Sequence, residues 1–350
     1  MSYIHSVAKS TPSTNVKQED VREFAKAVFR NSNLDVDKYL PVFENSKIKT
    51  RPVLKDISWY GETKTFKEKN ELFVIHARDL AFNSAKLAIE QANLLPKEID
   101  IIILVTSSGF VTPTLDAPLI DLLGLSTDVK RIPIIGLGCA GGANGIARAG
   151  ELSKLYPDKN ILLITVETCT LTFRPADKRK ANLIALSLFS DGSGSMIISG
   201  KKKDQSIKIE TNASRKWRNS LDVMGWEIEM DGLQVVFDKS IPGLITKNYL
   251  DFYNQFLEQN KLAKDAIKHY LFHPGGAKVL EAFSQALDVS EDQFYYSMKV
   301  LQEFGNVSSP TILFVIEEFL KEQKFQSGEY GLFSAMGPGF SSDIVLFQTT

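Results

Sequence analysis

A chain of 350 residues, 43% hydrophobic and 24% charged, has the makeup of an ordinary globular protein and room for two core-sized halves. Lys and Arg (41) nearly balance Asp and Glu (42), for a net charge of −1, which excludes the chain-wide basic field of a general nucleic-acid binder but hides any local basic rim. No apolar run reaches the roughly 18 residues of a membrane span, the opening Met1-Ser-Tyr-Ile-His-Ser-Val-Ala-Lys9 lacks a signal-peptide core, and the 2 cysteines make no disulfide framework, so a cytoplasmic protein is expected.

Residues 19–30 place Val21, Phe24 and Val28 at helical spacing. The small basic cluster Lys47-Ile-Lys-Thr-Arg51 reads as solvated surface. Residues 70–95 carry a long helical pattern that Pro96 ends, and Ile99-Asp-Ile-Ile-Ile-Leu-Val105 is the continuous apolar run of a buried strand. The strand-like Arg131-Ile-Pro-Ile-Ile135 leads through Gly-Leu-Gly138 to Cys139, where a helix rich in small residues begins. Residues 160–166 form another buried strand, and residues 186–199 suggest strand, turn and strand with Asp191-Gly192 at the turn. Lys201-Lys-Lys-Asp-Gln205 is a polar linker.

Beyond it, Pro242 opens a helix with Ile245, Tyr249, Phe252, Tyr253 and Phe256 on one face. Tyr270-Leu-Phe-His273 is a short strand running into Pro274-Gly-Gly276, with His269 before it and facing solvent. Gly305-Asn-Val-Ser-Ser-Pro310 precedes a helix bearing Ile312, Ile316, Phe319 and Leu320, and residues 331–347 close the chain. The alternation of strands and helices specifies an α/β fold.

Residues 188–198 resemble residues 332–346, each read as a strand, a glycine turn and a returning strand. The chain therefore reads as a duplication, with halves 1–200 and 201–350. In each half a Gly-rich junction carrying one special residue, Cys139 or Asn306, opens a helix, and a pseudo-twofold would bring those two helix N-termini face to face.

A cysteine at a helix N-terminus sits beside unpaired backbone N–H groups and the positive end of the helix dipole, which favour the thiolate. The dipole supplies only about 0.3–1 kcal/mol, so Cys139 needs a partner. Of the four histidines, His5, His76 and His269 read as surface or core residues, whereas His273 ends a buried strand before Pro-Gly-Gly, where α/β proteins keep functional groups. Cys139, His273 and Asn306 suit two reaction classes. In a papain-like hydrolase or thioesterase the asparagine orients the imidazole; in a condensing enzyme histidine and asparagine both donate to a thioester oxygen and stabilise an enolate. The mid-chain nucleophile without a papain-type local signature favours condensation.

Gly138-Cys-Ala-Gly-Gly142, His273-Pro-Gly-Gly276, Gly305-Asn-Val-Ser-Ser309 and Met336-Gly-Pro-Gly-Phe340 resemble the signatures of type III polyketide synthases, the chalcone synthase family. The resemblance implies a thiolase-like αβαβα layered fold, a homodimer, acyl-CoA and malonyl-CoA as substrates, and no metal or redox cofactor. It makes Cys139 the acyl-accepting thiolate paired with a His273 imidazolium, and His273 with Asn306 the donors to the malonyl thioester oxygen. It also implies that Phe189 is a gatekeeper between CoA tunnel and cavity, that Ser308 contacts substrate, and that Cys169 and Thr172 line the cavity. The second gatekeeper position falls on Val235, and the position that reaches across the plant dimer falls on Thr112. Of the basic residues that hold CoA in plant enzymes Lys38 aligns, while Asn45 replaces another. Residues 131–139, 173–192 and 222–226 are most similar to bacterial alkylpyrone and alkylresorcinol synthases, which take long fatty acyl starters. A single-round 3-oxoacyl-carrier-protein synthase III-like enzyme is the alternative within the fold.

Overall fold

The computed structural model describes residues 1–30 and 32–350. Strands run over Tyr3–Ser10 (β1), Asn15–Lys17 (β2), Thr50–Pro52 (β3), Ile99–Thr106 (β4), Lys130–Ile135 (β5), Asn160–Thr168 (β6), Asp191–Ser199 (β7), Ile207–Lys216 (β8), Met224–Glu229 (β9), Gly232–Phe237 (β10), Ile267–Phe272 (β11), Tyr330–Gly337 (β12) and Ser341–Thr349 (β13). Helices occupy Gln18–Phe29 (α1), Val36–Tyr39 (α2), Pro41–Asn45 (α3), Phe66–Gln91 (α4), Asp116–Leu123 (α5), Gly141–Leu155 (α6), Lys180–Leu188 (α7), Ile241–Gln259 (α8), Ala277–Leu287 (α9), Tyr295–Phe304 (α10) and Thr311–Glu322 (α11). Among the described residues no helix is long and apolar enough to cross a membrane.

Nine strands join in the order β11-β12-β13-β8-β1-β7-β6-β4-β5. Outward from the β1–β8 seam, each side passes through two antiparallel pairs and then a parallel one: β1·β7, β7·β6 and β6·β4 on one side, β8·β13, β13·β12 and β12·β11 on the other. The duplication is therefore real, but its register differs from the sequence parallel. β7 corresponds to β13 and β6 to β12, while the residues before Asp191 form α7 and not a strand. Asp191 sits at no turn: its buried carboxylate accepts the backbone N–H groups of Leu54 (2.9 Å) and Thr170 (2.8 Å), which pins the start of β7.

Strand alternation distributes the apolar runs over two faces. Ile101, Ile103, Val105 and Leu163 point to the central helices α6 and α11, which also take Phe333 and Val345 from the second half. Ile102, Leu104, Leu162 and Ile164 point the other way, onto α4 and α5. In the second half Tyr270, Phe272, Leu332 and Ile344 pack on α8 and α9. The layers are thus α4/α5, the β1-β7-β6-β4-β5 half of the sheet, α6/α11, the β8-β13-β12-β11 half, and α8/α9. The central layer is tight at its N-terminal ends: a Cβ on Gly142 would lie 2.2 Å from the Ser309 carbonyl oxygen and 2.4 Å from Ile312 Cγ2, so only glycine lets α6 meet the segment that opens α11.

Two basic-cluster and histidine expectations are corrected. Arg51 is not surface; it is buried, donates to the Phe189 carbonyl, and lays its stem against Gly305. His269 lies inside β11, partly covered, with Nε2 2.9 Å from Glu329 Oε2.

Candidate active site

The Cys139 turn is shaped by what lies behind it. Gly138 has φ +48°, and a Cβ there would come 2.8 Å from Pro338 Cδ; a Cβ on Gly337 would lie 2.4 Å from the Leu137 carbonyl oxygen. Met336-Gly-Pro-Gly339 is therefore the backing of the nucleophile turn, with Gly337 its close-approach position. The Gly138 N–H donates to Ser107 Oγ at 2.9 Å. Cys139 thus emerges at the start of α6 with its thiol toward the opposite helix, 3.9 Å from Asn306 Oδ1 and 3.6 Å from Ser308 Oγ.

Asn306 is over-determined. Its backbone N–H donates to Leu188 O (2.8 Å) and its carbonyl accepts from Ser190 N (3.0 Å). Its side-chain Oδ1 accepts the Ser308 N–H (2.8 Å), and Nδ2 donates to Gly275 O (3.1 Å). Gly275 belongs to the turn after β11, which also fixes His273: the His273 N–H donates to Ser334 O at 2.8 Å and its carbonyl accepts from Gly275 N at 3.1 Å. His273 is 3% exposed, and among the described residues neither ring nitrogen has a hydrogen-bond partner. Cys139, His273 and Asn306 share one cavity of about 610 Å³.

Burial dominates the electrostatics. It pushes the Cys139 thiol up from 9.0 to about 11, against the opposing effect of its contacts with Ser308 and Asn306, and it pushes His273 down from 6.5 to about 3. The rise at the thiol amounts to about 3 kcal/mol against the thiolate, while a helix N-terminus returns only about 0.3–1 kcal/mol. No hydrogen bond joins the two side chains, and burial favours the neutral thiol and the neutral imidazole over an ion pair.

Sequence reasoning passed over Glu167, which ends the apolar β6 run and is fully buried. Its carboxylate accepts from Ser107 N (3.0 Å), Ser108 Oγ (2.6 Å) and Ser309 Oγ (2.7 Å), tying the loop after β4 to the entrance of α11 behind Cys139. Burial raises it to about 7 although these hydrogen bonds pull the other way. A single charged residue near the end of an otherwise uncharged, mostly apolar strand is the signal that would have found it.

Residues 2–202 match the N-terminal domain of the chalcone and stilbene synthases, and residues 210–350 match their C-terminal domain. The chain belongs to this family. A putative chalcone synthase of Bacillus subtilis (strain 168) is 38% identical to it, covering 99% of both chains. The 1,3,6,8-tetrahydroxynaphthalene synthase of Streptomyces peucetius subsp. caesius is 29% identical over 99% of this chain and 92% of its own. The crystal structure of that synthase from Streptomyces coelicolor A3(2), a bacterial type III polyketide synthase, has a TM-score of 0.94 at 27% identity, with 99% of each chain covered. Enzymes of this family are decarboxylative condensing acyltransferases that act on CoA thioesters without a required cofactor.

The helix α7 separates two cavities. Ala181, Ile184 and Leu188 face the large one; Ala185, Leu186 and Phe189 face a second, apolar cavity of about 40 Å³. Cys169, Thr172, Phe189 and Val235 all line this second space. Phe189 packs against Trp226 and Phe237 at ring-centroid distances of 5.7 and 5.6 Å, and Phe237 in turn lines the large cavity. Thr172 Oγ1 donates to the Cys169 carbonyl (2.6 Å), and burial holds the Cys169 thiol well above its ordinary range. The Ser308 hydroxyl neighbours both cysteines. Lys38 and Asn45 stand at the mouth of the large cavity, as do Lys180, Lys239 and Lys278, which sequence reasoning did not single out. Thr112 is exposed and lines neither cavity.

Proposed function

We propose that this synthase loads a fatty acyl group from its CoA thioester and extends it iteratively with malonyl units to alkylpyrone or alkylresorcinol-type products. The observation that carries this reading is the chamber of about 610 Å³ beside Cys139, whose walls include Ile184, Leu188, Ile245, Val279 and Phe283; the apolar cavity of about 40 Å³ across Phe189 admits only the tip of a tail. An alkyl tail gains roughly 0.8 kcal/mol per buried methylene in such a place. Val235, where plant enzymes carry a phenylalanine, leaves that wall open. A relative named as an alpha-pyrone synthesis polyketide synthase-like protein in Mycobacterium tuberculosis (strain ATCC 25618 / H37Rv) is 26% identical over 99% of this chain, which favours the same product class.

In this scheme Cys139, from the half 1–200, passes its proton to His273 as its sulfur attacks the acyl-CoA carbonyl, and CoA leaves with that proton. Asn306, from the half 201–350, has one N–H on Gly275 and a second for the malonyl thioester oxygen, and the protonated nitrogen of neutral His273 supplies another donor. Malonyl-CoA loses CO₂, the resulting enolate attacks the Cys139 thioester, and the cysteine thiolate is released for the next transfer. The neutral resting pair fits a site that charges only when substrate has displaced water.

The same reading makes the enzyme a cytoplasmic homodimer. β5 ends the sheet with an unpaired edge among the described residues, and its own Ile135, with Phe110 and Leu122 from the segments after β4, is exposed. An edge of this kind is normally covered, and a second copy would bring its neighbour Thr112 toward the partner. Incubating the protein with acyl-CoAs of graded length and malonyl-CoA tests the activity. Triketides and tetraketides by mass spectrometry are expected; absence of extended products from all starters overturns it. A single condensation dependent on malonyl-carrier protein points to the single-round alternative, and free acid with CoA but no CO₂ to a thioesterase.

A further inference from the structure

We infer that Arg51 is a positioning residue for the condensation: its buried guanidinium joins the C-terminal ends of α7 and α10 and so sets Phe189 and Asn306 in register with each other. The inference rests on the polyketide synthase reading and adds to it a residue that touches neither Cys139 nor the chamber.

A guanidinium in the core needs a reason to be there. Arg51 is 2% exposed and forms no ion pair among the described residues. One terminal nitrogen donates to the Phe189 carbonyl, while Nε has no hydrogen-bond partner. Burial pushes the group down from 12.5 to about 10, so it keeps its charge at neutral pH. Asp191, the acid whose charge acts on it, is already engaged by the Leu54 N–H and by the N–H and hydroxyl of Thr170. Taking an ion out of water costs more than one hydrogen bond returns, and an apolar side chain of the same volume would pack there without that cost. What the charge holds explains its place.

It holds two helix ends. Phe189 is the C-cap of α7 and Gly305 the C-cap of α10. The guanidinium takes the carbonyl of the first, and its stem lies against the second: a Cβ on Gly305, whose φ is +68°, would come 2.8 Å from Arg51 Cδ. A helix C-terminus leaves carbonyls without partners and carries the negative end of its dipole, so two such ends together favour one cation. The neighbours of Arg51 continue the grip. The Lys49 N–H donates to Gln302 O at 2.8 Å and Thr50 Oγ1 to Glu303 O at 3.0 Å, while from the α7 side Ser190 Oγ donates to Phe304 O. The last turn of α10 is held carbonyl by carbonyl.

Immediately beyond these ends the two segments pair. Phe189 and Asn306 form a parallel bridge, with the Asn306 N–H on Leu188 O and the Ser190 N–H on Asn306 O. The backbone groups of Phe189 itself face away from Asn306 in such a bridge. Its N–H returns to Ala185 O at 2.9 Å, and its carbonyl goes to Arg51. One partner of the bridge carries the phenyl ring packed on Trp226 and Phe237, and the other carries the amide beside Cys139. A slip of α7 against α10 therefore moves the gate and the malonyl donor together. Misplacing such a donor by about 1 Å costs about 10²-fold in rate.

The test is Arg51→Met, which keeps an unbranched stem of similar volume and removes the donors and the charge. Malonyl-CoA decarboxylation, followed as CO₂ release, and acyl loading on Cys139, followed by intact-protein mass spectrometry, are measured on one preparation. Decarboxylation should fall about 10- to 100-fold while loading falls by no more than about threefold. The loss should lie in kcat, with KM for malonyl-CoA unchanged within about twofold. Arg51→Lys, which returns a cation and a single donor group, should fall between Arg51→Met and wild type. A merely structural arginine lowers the active fraction and both steps alike, so a common factor, or no change in either step, overturns the assignment. If circular dichroism shows that Arg51→Met does not fold, Arg51→Lys decides by the same ratio: a fall of about threefold or more supports the assignment and an unchanged ratio overturns it. Hydrogen exchange separates this proposal from the catalytic one. If the wild type neither loads nor decarboxylates, the synthase reading fails, and exchange alone decides. Faster exchange in the variant over residues 186–192 and 302–308, with β4 unchanged, supports the clamp, and equal exchange there refutes it.

Discussion

Asn306 reaches across the central layer to Cys139: its Oδ1 lies 3.9 Å from the thiol sulfur while its Nδ2 donates to the Gly275 carbonyl 3.1 Å away. One side chain thereby links the two helix N-termini and the turn after His273. Replacing it with alanine removes a donor to the malonyl oxygen, so malonyl decarboxylation should fall about 10²–10³-fold. Acyl loading on Cys139, followed by intact-protein mass spectrometry, should persist, whereas Cys139→Ala abolishes it. Equal loss of loading and decarboxylation in Asn306→Ala would place Asn306 in the framework alone.

His273 predicts an acid-sensitive stability. Its folded pKa of about 3 lies below its ordinary 6.5, so between those values the unfolded chain binds a proton that the folded chain refuses, and stability is lost as pH falls through that window. Glu167, raised to about 7 from 4.5, acts in the opposite sense, stabilising less as pH rises between those values. His273→Gln removes only the first contribution. Its stability relative to wild type, from urea unfolding, should improve by about 2 kcal/mol more at pH 5 than at pH 7.5. A difference independent of pH would mean that His273 titrates alike in the folded and unfolded chain, and a dependence of the opposite sign that the folded protein holds it charged.

Cys139, His273 and Asn306 were legible because each interrupts an apolar pattern at a glycine-rich junction, and the duplicated layout predicted that two of them would meet. The layered α/β architecture was legible for the same reason, through runs such as residues 99–105. The residues before Asp191 were misread because Leu186, Leu188 and Phe189 suit a strand locally; what favours the helix is tertiary packing, with Leu183 and Leu186 against α1 and Ala185 against Val235. Arg51 was misread because burial of a guanidinium depends on distant partners, here Phe189 and Gly305, that local sequence does not name. The rim lysines were invisible for a third reason: four cations far apart in the chain form a cluster only after folding.

Gly142 tests the closeness of α6 and α11. A methyl group there would sit 2.2 Å from a backbone oxygen, which cannot rotate away as a flexible side chain would. Gly142→Ala should destabilise the fold by about 1–3 kcal/mol through overpacking, despite alanine's better helix propensity. Thermal or urea unfolding measures this, and a stabilised variant would show that the helices part without cost. The accompanying shift of Ser309 would also loosen its 2.7 Å bond to Glu167, so acyl loading should slow.

Val235 tests whether the second cavity receives the starter tail. It is buried with Cys169, Ala185 and Phe189, and all four line that space. Val235→Phe fills the space without touching Cys139, His273 or Asn306, at a cost to stability of about 1–3 kcal/mol. With long acyl-CoA starters kcat/KM should fall at least about tenfold, as loss of two or more buried methylenes at roughly 0.8 kcal/mol each requires. With acetyl-CoA or butyryl-CoA it should stay within about twofold, since a short chain does not reach past Phe189. The ratio between long and short starters, taken by mass spectrometry under competition, is the deciding measurement because partial unfolding lowers both rates together. A uniform decline would put the tail elsewhere, and an increase for long chains would mean that Val235 faces away from the path they take.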